Sequence, residues 1–320
     1  MFALSQPANL QKTWVENAAM RISLGPIQYY WPAEQIKSFY DQLRGKVELI
    51  YLGETVCGRR REMGPAEWVG LGKELAEEGH EVVLSALGLV EARSEAAQVK
   101  RLCENGDFMV EANDFTAISF LEANKTPFVA GPSLNIYSGR ALREMQKLGA
   151  RRWVPPVELP GQGLRQVLSE FAELSEDPME TEVYAYGRMP LAFSARCFTA
   201  RHYGLGKDDC DFVCKNHPEG LGVVTRAGES FLTINGIQAQ SFGCLNLLPA
   251  LTDMKQMGVS AVRLSPRPVD MTEVVEAFRA GINGEDVQLT EPDPGMQCDG
   301  YWWGQPGCGS RAVENYQAET

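Results

Sequence analysis

The chain is expected to fold as an α/β protein, a (β/α)8-type barrel carrying a cysteine-bearing insertion after strand seven and an irregular C-terminal tail. Three observations predict it. Short β-type runs alternate with amphipathic helical runs through eight beats, and such alternation calls for parallel strands joined by right-handed crossovers. Gly or Pro punctuates many of the junctions, at Gly45, Pro65, Gly79, Gly106, Gly149 and Gly258, where helices end or begin. The length of 320 residues suits one large barrel, with a doubly wound open sheet or two ordinary domains as the alternatives. The expected organisation is an N-terminal extension over 1–20, a barrel domain over 21–286 with its insertion at 194–245, and a tail over 287–320.

The strand runs are 22–31, 47–53, 81–87, 108–112, 128–134, 152–159, 182–187 and 260–266, each short and rich in Val, Ile, Leu, Tyr or Phe. Helical periodicity fills 33–44, 65–78, 91–105, 115–124, 138–148, 161–174, 246–257 and 271–280. In 91–105, Ala96, Val99 and Cys103 share one face at spacings of three and four, while Glu91, Lys100 and Glu104 lie elsewhere. The beat breaks at 194–245, where a polar, cysteine-bearing stretch precedes two runs, VVTRAG and ESFLTING, that read as an antiparallel hairpin. It breaks again from Val287, where Pro, Gly and Asp mark an irregular wrap with a frayed end at 309–320.

Composition narrows the function classes. Forty-two acidic against 30 basic residues give a net charge of -12, which argues against sequence-independent attraction to nucleic acid or anionic membrane. The N-terminal stretch lacks the basic and apolar regions of a secretory signal, and no run approaches the ~18 apolar residues of a spanning helix, so the chain reads as cytoplasmic. Eight cysteines in such a compartment read as thiols and metal ligands more readily than as disulfides.

Cys197, Cys210 and Cys214 form C-x12-C-x3-C in a segment too polar to be core. A helical turn over 208–215 would set Cys210 and Cys214 on one face. Closed zinc and iron–sulfur sites take four protein ligands, and Cys57, just past strand two, is the candidate for the fourth. In a barrel the C-terminal ends of all strands share one face, so Cys57 can meet Cys197 at the end of strand seven. Spacing leaves zinc and iron–sulfur both open; the scarcity of histidine, with only His80, His202 and His217, tilts toward an all-thiolate site. Cys103 and Cys244 read as core, and Cys298 and Cys308 as residues without a metal.

The segment EVYAYGRMPLAFSARCFTA (182–200) resembles the signature of the collagenase-like peptidase family. SLGPIQYYWP (23–32), YLGETVCGRRR (51–61), VEANDF (110–115), PFVAGPSLNIY (127–137), PVELP (156–160), SARCFTAR (194–201), NGIQ (235–238), VRLSP (262–266) and CDGYW (298–302) extend the likeness, most closely to a subfamily active in ubiquinone biosynthesis. The resemblance implies a [4Fe-4S] cluster on Cys57, Cys197, Cys210 and Cys214. It also implies a heterodimer with a homologous subunit, and oxygen-independent hydroxylation of the ubiquinone ring with prephenate as the linked oxygen source. The typical signature carries a cysteine where this chain has Pro190, so Cys57 serves as the substitute ligand. A long-tailed quinone precursor needs apolar surface or a lipid-carrier protein to bring it, because the chain shows no anchor and no basic amphipathic helix. The alternatives are a cluster-binding partner for structure or electron transfer without its own catalytic site, and a peptidase-like zinc protein.

Other chemistry has less to stand on. There is no H-E-x-x-H and no G-x-S-x-G, so peptidase activity is not expected, and SLGPIQYY lacks the G-x-G-x-x-G of a dinucleotide fold. His80 reads as a surface loop residue, and His202 and His217 as exposed neighbours of the cysteines. Glu54, Glu111, Asn113, Asp114, Asn135, Glu158, Arg188, Arg196 and Arg267 fall at or just past strand ends and as a set suggest a polar pocket, with Asp114 reading as a helix N-cap. The run Arg59, Arg60, Arg61 is either a solvated surface or a meeting point for an anion or acidic partner.

Overall fold

The computed structural model describes residues 19–289 and 297–307 of the chain. Seven strands come first: β1 (Arg21–Leu24), β2 (Leu49–Leu52), β3 (Glu81–Ser85), β4 (Met109–Ala112), β5 (Phe128–Ala130), β6 (Ala150–Trp153) and β7 (Glu180–Phe193). Helices α1 (Ala33–Gln42), α2 (Pro65–Glu77), α3 (Arg93–Cys103), α4 (Phe115–Ala123), α5 (Gly139–Lys147) and α6 (Gly161–Leu174) connect them. The insertion holds α7 (Phe198–His202) and the antiparallel strands β8 (Leu221–Val224), β9 (Ser230–Asn235) and β10 (Gln238–Asn246). Then follow α8 (Leu251–Gln256), β11 (Ala261–Leu264), α9 (Thr272–Ile282) and the short β12 (Gln297–Cys298).

Strands β1 to β7 pair in order and in parallel, and β11 pairs in parallel with both β7 and β1. That last pairing closes an eight-stranded barrel and removes the open-sheet alternative. Alternation along the strands explains why these residues close a barrel rather than a flat sheet. Ile22 and Leu24, Ile50 and Leu52, Val82 and Leu84, Val110 and Ala112, and Val262 and Leu264 belong to the large core between strands and helices. The intervening Ser23, Tyr51, Val83, Glu111 and Arg263 have the opposite parity and fill the barrel interior.

That interior is charged. Arg263 donates from Nη1 to Glu111 at 2.6 Å and from Nε to Glu182 at 2.7 Å, with its guanidinium 4.1 Å from the Tyr51 ring centroid. Ser23 and Tyr51 donate to Glu182 at 2.6 and 2.5 Å, and Arg152 bridges Glu81, Glu180 and the Tyr51 hydroxyl. Burial pushes the Glu182 carboxyl up, but Arg263, Arg152 and the two hydroxyl donors outweigh it and hold the group below the ordinary carboxylate range.

Boundaries differ from expectation where non-local pairing or Pro intervenes. Strand one stops at Leu24 instead of reaching residue 31, because Pro26 has no N–H to continue the ladder. Strand seven runs on to Phe193 because β10 pairs antiparallel with its second half, through bulges near Gln240. The helix expected over 246–257 begins at Leu251, since Gln238–Asn246 is strand and Pro249 sits in a 3-10 turn. The hairpin expected in the insertion is β8–β9, to which β10 adds a third strand. In the tail, β12 pairs with β10 and Trp302 packs into the core beside Gly161; residues 1–18, 290–296 and 308–320, including the expected frayed end, lie outside the described residues. Among the described residues no helix is long and apolar enough to cross a membrane.

Candidate functional site

The loop after β2 is shaped to present Cys57. Gly53 has φ +141°, and a Cβ there would lie 2.4 Å from the Ser85 carbonyl oxygen, so only glycine lets β2 leave the barrel at this angle. The Glu54 carboxylate then accepts the N–H groups of Val56 at 2.8 Å and Cys57 at 3.0 Å, curling the chain back on itself. Arg60, 4% exposed, ties the loop to two distant segments: it donates to the Gln28 carbonyl at 2.8 Å and to Asn235 Oδ1 at 2.7 Å, with Glu54 3.8 Å away.

The β9–β10 turn holds the second segment. Gly236 has φ +63° and its carbonyl oxygen accepts the Phe198 N–H at 2.8 Å, which docks the start of α7 on the turn. Cys197 is the N-cap of that helix, its Sγ accepting from the Ala200 N–H at 3.3 Å. Cys210 and Cys214 sit on a sharper path than the expected helical turn: Asp211 and Phe212 are left-handed, with φ 45° and 53°, and a 3-10 turn follows over Val213–Asn216. Phe212 packs on Tyr30, and Lys215 lies 4.7 Å from the Tyr30 ring centroid while pairing with Glu62, so this turn is fastened to the loop after β1.

These segments bring Cys57, Cys197, Cys210 and Cys214 to the lining of one small cavity, together with Arg59, Arg60 and Lys207. Burial pushes the Cys57 and Cys214 thiols up, with Arg60 opposing it in both. For Arg60 itself burial is the largest influence and lowers its pKa, but Glu54, Cys214 and Cys57 outweigh it. The thiols line the cavity without closing on its centre; among the described residues no group of three or more His, Cys, Asp or Glu is arranged to hold a metal ion. As a donor set, four thiols among three cations suit a soft, anionic metal centre.

The other cysteines lie apart. Cys103, Cys244 and Cys298 are buried in the main core and do not line this cavity, and Cys308 lies outside the described residues. Pro190 is also elsewhere: it lines the mouth of the barrel, with Pro132, Ser133 and Phe193. His80 is buried, not a surface residue, its Nδ1 donating to the Val47 carbonyl at 2.9 Å and its Nε2 accepting the Gly45 N–H at 3.2 Å. His202 and His217 pack against Tyr203 outside the cavity.

The polar residues at strand ends divide. Asp114 is an N-cap, accepting the Thr116 N–H at 2.7 Å. Glu54 braces the Cys57 loop, and Arg188 is bonded to the Glu219 carbonyl and the Thr233 hydroxyl. Glu111, Asn113 and Arg263 line the deep part of the barrel mouth, and Asn135, Tyr137 and Glu158 its outer part. Asn113 Oδ1 and Arg263 Nη2 are buried there without a hydrogen-bond partner. Arg196 and Arg267 line neither cavity part. Sequence reasoning passed over Arg263 and named Arg60 only within the run Arg59 to Arg61, as solvated surface or an anion-meeting point. A charged residue at inward parity in AVRLS was the available signal for the first; the second was one of three adjacent arginines with nothing to single it out.

The chain matches the family model of peptidase family U32 over residues 34–289. Among solved structures it is similar to dihydropteroate synthase from Thermus thermophilus, at 10% identity over 83% of this chain and 93% of that one, with a TM-score of 0.42. It is similar at 10% identity to a phospho-2-dehydro-3-deoxyheptonate aldolase from Thermotoga maritima, over 84% and 72% of the chains, TM-score 0.45. The spore cortex-lytic enzyme SleL from Bacillus megaterium is similar at 11% identity over 86% and 76%, TM-score 0.40.

Proposed function

The chain belongs to peptidase family U32, and we propose that within it this is a UbiV-type protein whose four thiols at one cavity hold a [4Fe-4S] cluster. In this reading it is one subunit of a heterodimer with a homologous UbiU-type chain, working in oxygen-independent hydroxylation of the ubiquinone ring, with prephenate as the linked oxygen source and the quinone precursor delivered by a lipid-carrier protein. The observation that carries the reading is the meeting of Cys57, Cys197, Cys210 and Cys214, from separate segments of the chain, at one cavity. When bound, such a cluster supplies one-electron chemistry at an all-thiolate site.

What the chain itself does is define and dress that site. Arg60 positions the Cys57 loop against the Asn235–Gly236 turn, so the early cysteine and the insertion cysteines are held by one buried guanidinium. Arg59, Arg60 and Lys207 bring positive charge to a lining of thiols that must shed protons to become ligands. Loading requires the side chains to turn toward the bound group from the arrangement described.

Anaerobic purification, visible spectroscopy and iron, sulfide and zinc analysis test the centre: about four iron and four sulfide per chain are expected, and a colourless protein with one zinc would overturn the cluster. Size-exclusion chromatography of the co-expressed chains tests the assembly, and two separate monomer peaks would overturn it.

A further inference from the structure

Beside the cysteine cavity, and separate from the barrel mouth, lies a third recess. The ends of β2 and β3, the loop through Arg60 to Gly64, and helices α2 and α3 enclose a cavity of about 230 Å³. Its walls are apolar, formed by Met63, Trp68, Leu87, Val99 and Leu102. Arg61 and Arg101 line it as well, and neither side chain makes a hydrogen bond or ion pair with any described residue. The basic residues beside them are committed elsewhere: Arg59 to Asp208, Arg60 to Gln28 and Asn235, Lys100 to Glu104.

Arg61 and Arg101, both exposed, thus place two guanidinium groups at the rim of a largely apolar recess in a chain with a net charge of -12. A guanidinium is weakly hydrated and presents its donors in a fork matched to a carboxylate. Ligand sites have this composition: apolar walls and a few polar groups that fix orientation. We propose that this cavity binds a small organic acid, its flat apolar body against Trp68, Val99 and Leu102 and its carboxylate on Arg61 and Arg101. The site touches the cysteine cavity, because Arg60 lines both and Glu54 lines this one while holding the Cys57 N–H. The proposal does not depend on what the cysteines hold.

Isothermal titration calorimetry of the full chain tests it, with 2-naphthoate as probe and the neutral 2-naphthalenemethanol as its uncharged counterpart, at low ionic strength so that exposed charges are not screened. Saturable one-to-one binding of the acid is expected, tighter than that of the alcohol. The double variant Arg61→Ala, Arg101→Ala should weaken the acid by about ten-fold, as two exposed ion pairs of ordinary strength would, and leave the alcohol unchanged. Gln98→Trp, which fills the recess from its lining, should abolish binding of both probes while circular dichroism shows the fold intact. No saturable binding to the wild-type chain, equal affinity for acid and alcohol, or an acid affinity untouched by the arginine or Gln98 changes would each overturn the assignment.

Discussion

Replacing Arg60 by Met should cost more stability than any other single change in the Arg59–Arg61 run, and should strip the cysteine site although Arg60 is not a ligand. The guanidinium is 4% exposed and donates to the Gln28 carbonyl and Asn235 Oδ1 at 2.8 and 2.7 Å, with Glu54 at 3.8 Å. Met has similar length and no charge, so little cavity forms; what is lost is the pairing. Asn235 Oδ1 loses its donor, the Gln28 carbonyl keeps only the hydrogen bond from Asn235 Nδ2, and the part-buried Glu54 carboxylate keeps the Val56 and Cys57 N–H groups but loses its cation. Breaking a buried charge pair from one side costs about 3–5 kcal/mol. In a domain of this size that is a fall in Tm of roughly 5–8 °C. Thermal melts followed by circular dichroism measure it in apo protein, and iron analysis after anaerobic purification measures the effect on the site. Arg59→Met, which removes an exposed pair with Asp208 and one hydrogen bond to the Lys207 carbonyl, is the control and should move Tm by about 2 °C or less. A melt of Arg60→Met within that control range, or a full iron complement in it, would refute the view that this residue holds the two halves of the site together.

Alanine at Cys57, Cys197, Cys210 or Cys214 should each lower bound iron sharply, because no nearby group matches thiolate softness, while Cys103→Ala, Cys244→Ala and Cys298→Ala retain it. Iron and sulfide analysis decides, and loss confined to the second set would reverse the ligand assignment. Gly53→Ala should destabilise by about 2 kcal/mol or more, since it places a Cβ against the Ser85 carbonyl at an unfavourable φ; a denaturant midpoint equal to wild type would count against it. Glu182 has a lowered carboxyl pKa in the folded chain, so its contribution is complete above the ordinary carboxylate range and is lost as pH falls through the lowered value. Glu182→Gln should therefore lose about 3–5 kcal/mol at neutral pH, by leaving Arg263 and Arg152 short of a counter-charge, and show a shallower acid limb in urea titrations run from pH 7 to pH 3.

The barrel was legible because its signals are local. Inside and outside parity is written in residue pairs such as Ile22 and Leu24, and the helix ends carry their own Gly, Pro or Asp, as at Gly79, Pro65 and Asp114. What escaped was set by partners far along the chain. Nothing near Met189 says that strand seven continues, because the instruction comes from the ladder with β10, 50 residues on. The same division runs through the site. Four cysteines at unusual spacing stand out of a polar context, and the shared end of parallel strands makes Cys57 reachable from Cys197. The groups that fix their approach, Arg60, Asn235 and Gly236, have meaning only as a contact across 175 residues. Pro190 carries the point furthest: sequence reasoning treated it as a missing ligand to be compensated by Cys57, yet it lines the barrel mouth and not the cysteine cavity. Its position on β7 sets it at the barrel mouth, whereas the place of Cys57 is set by the loop geometry of Gly53, Glu54 and Arg60.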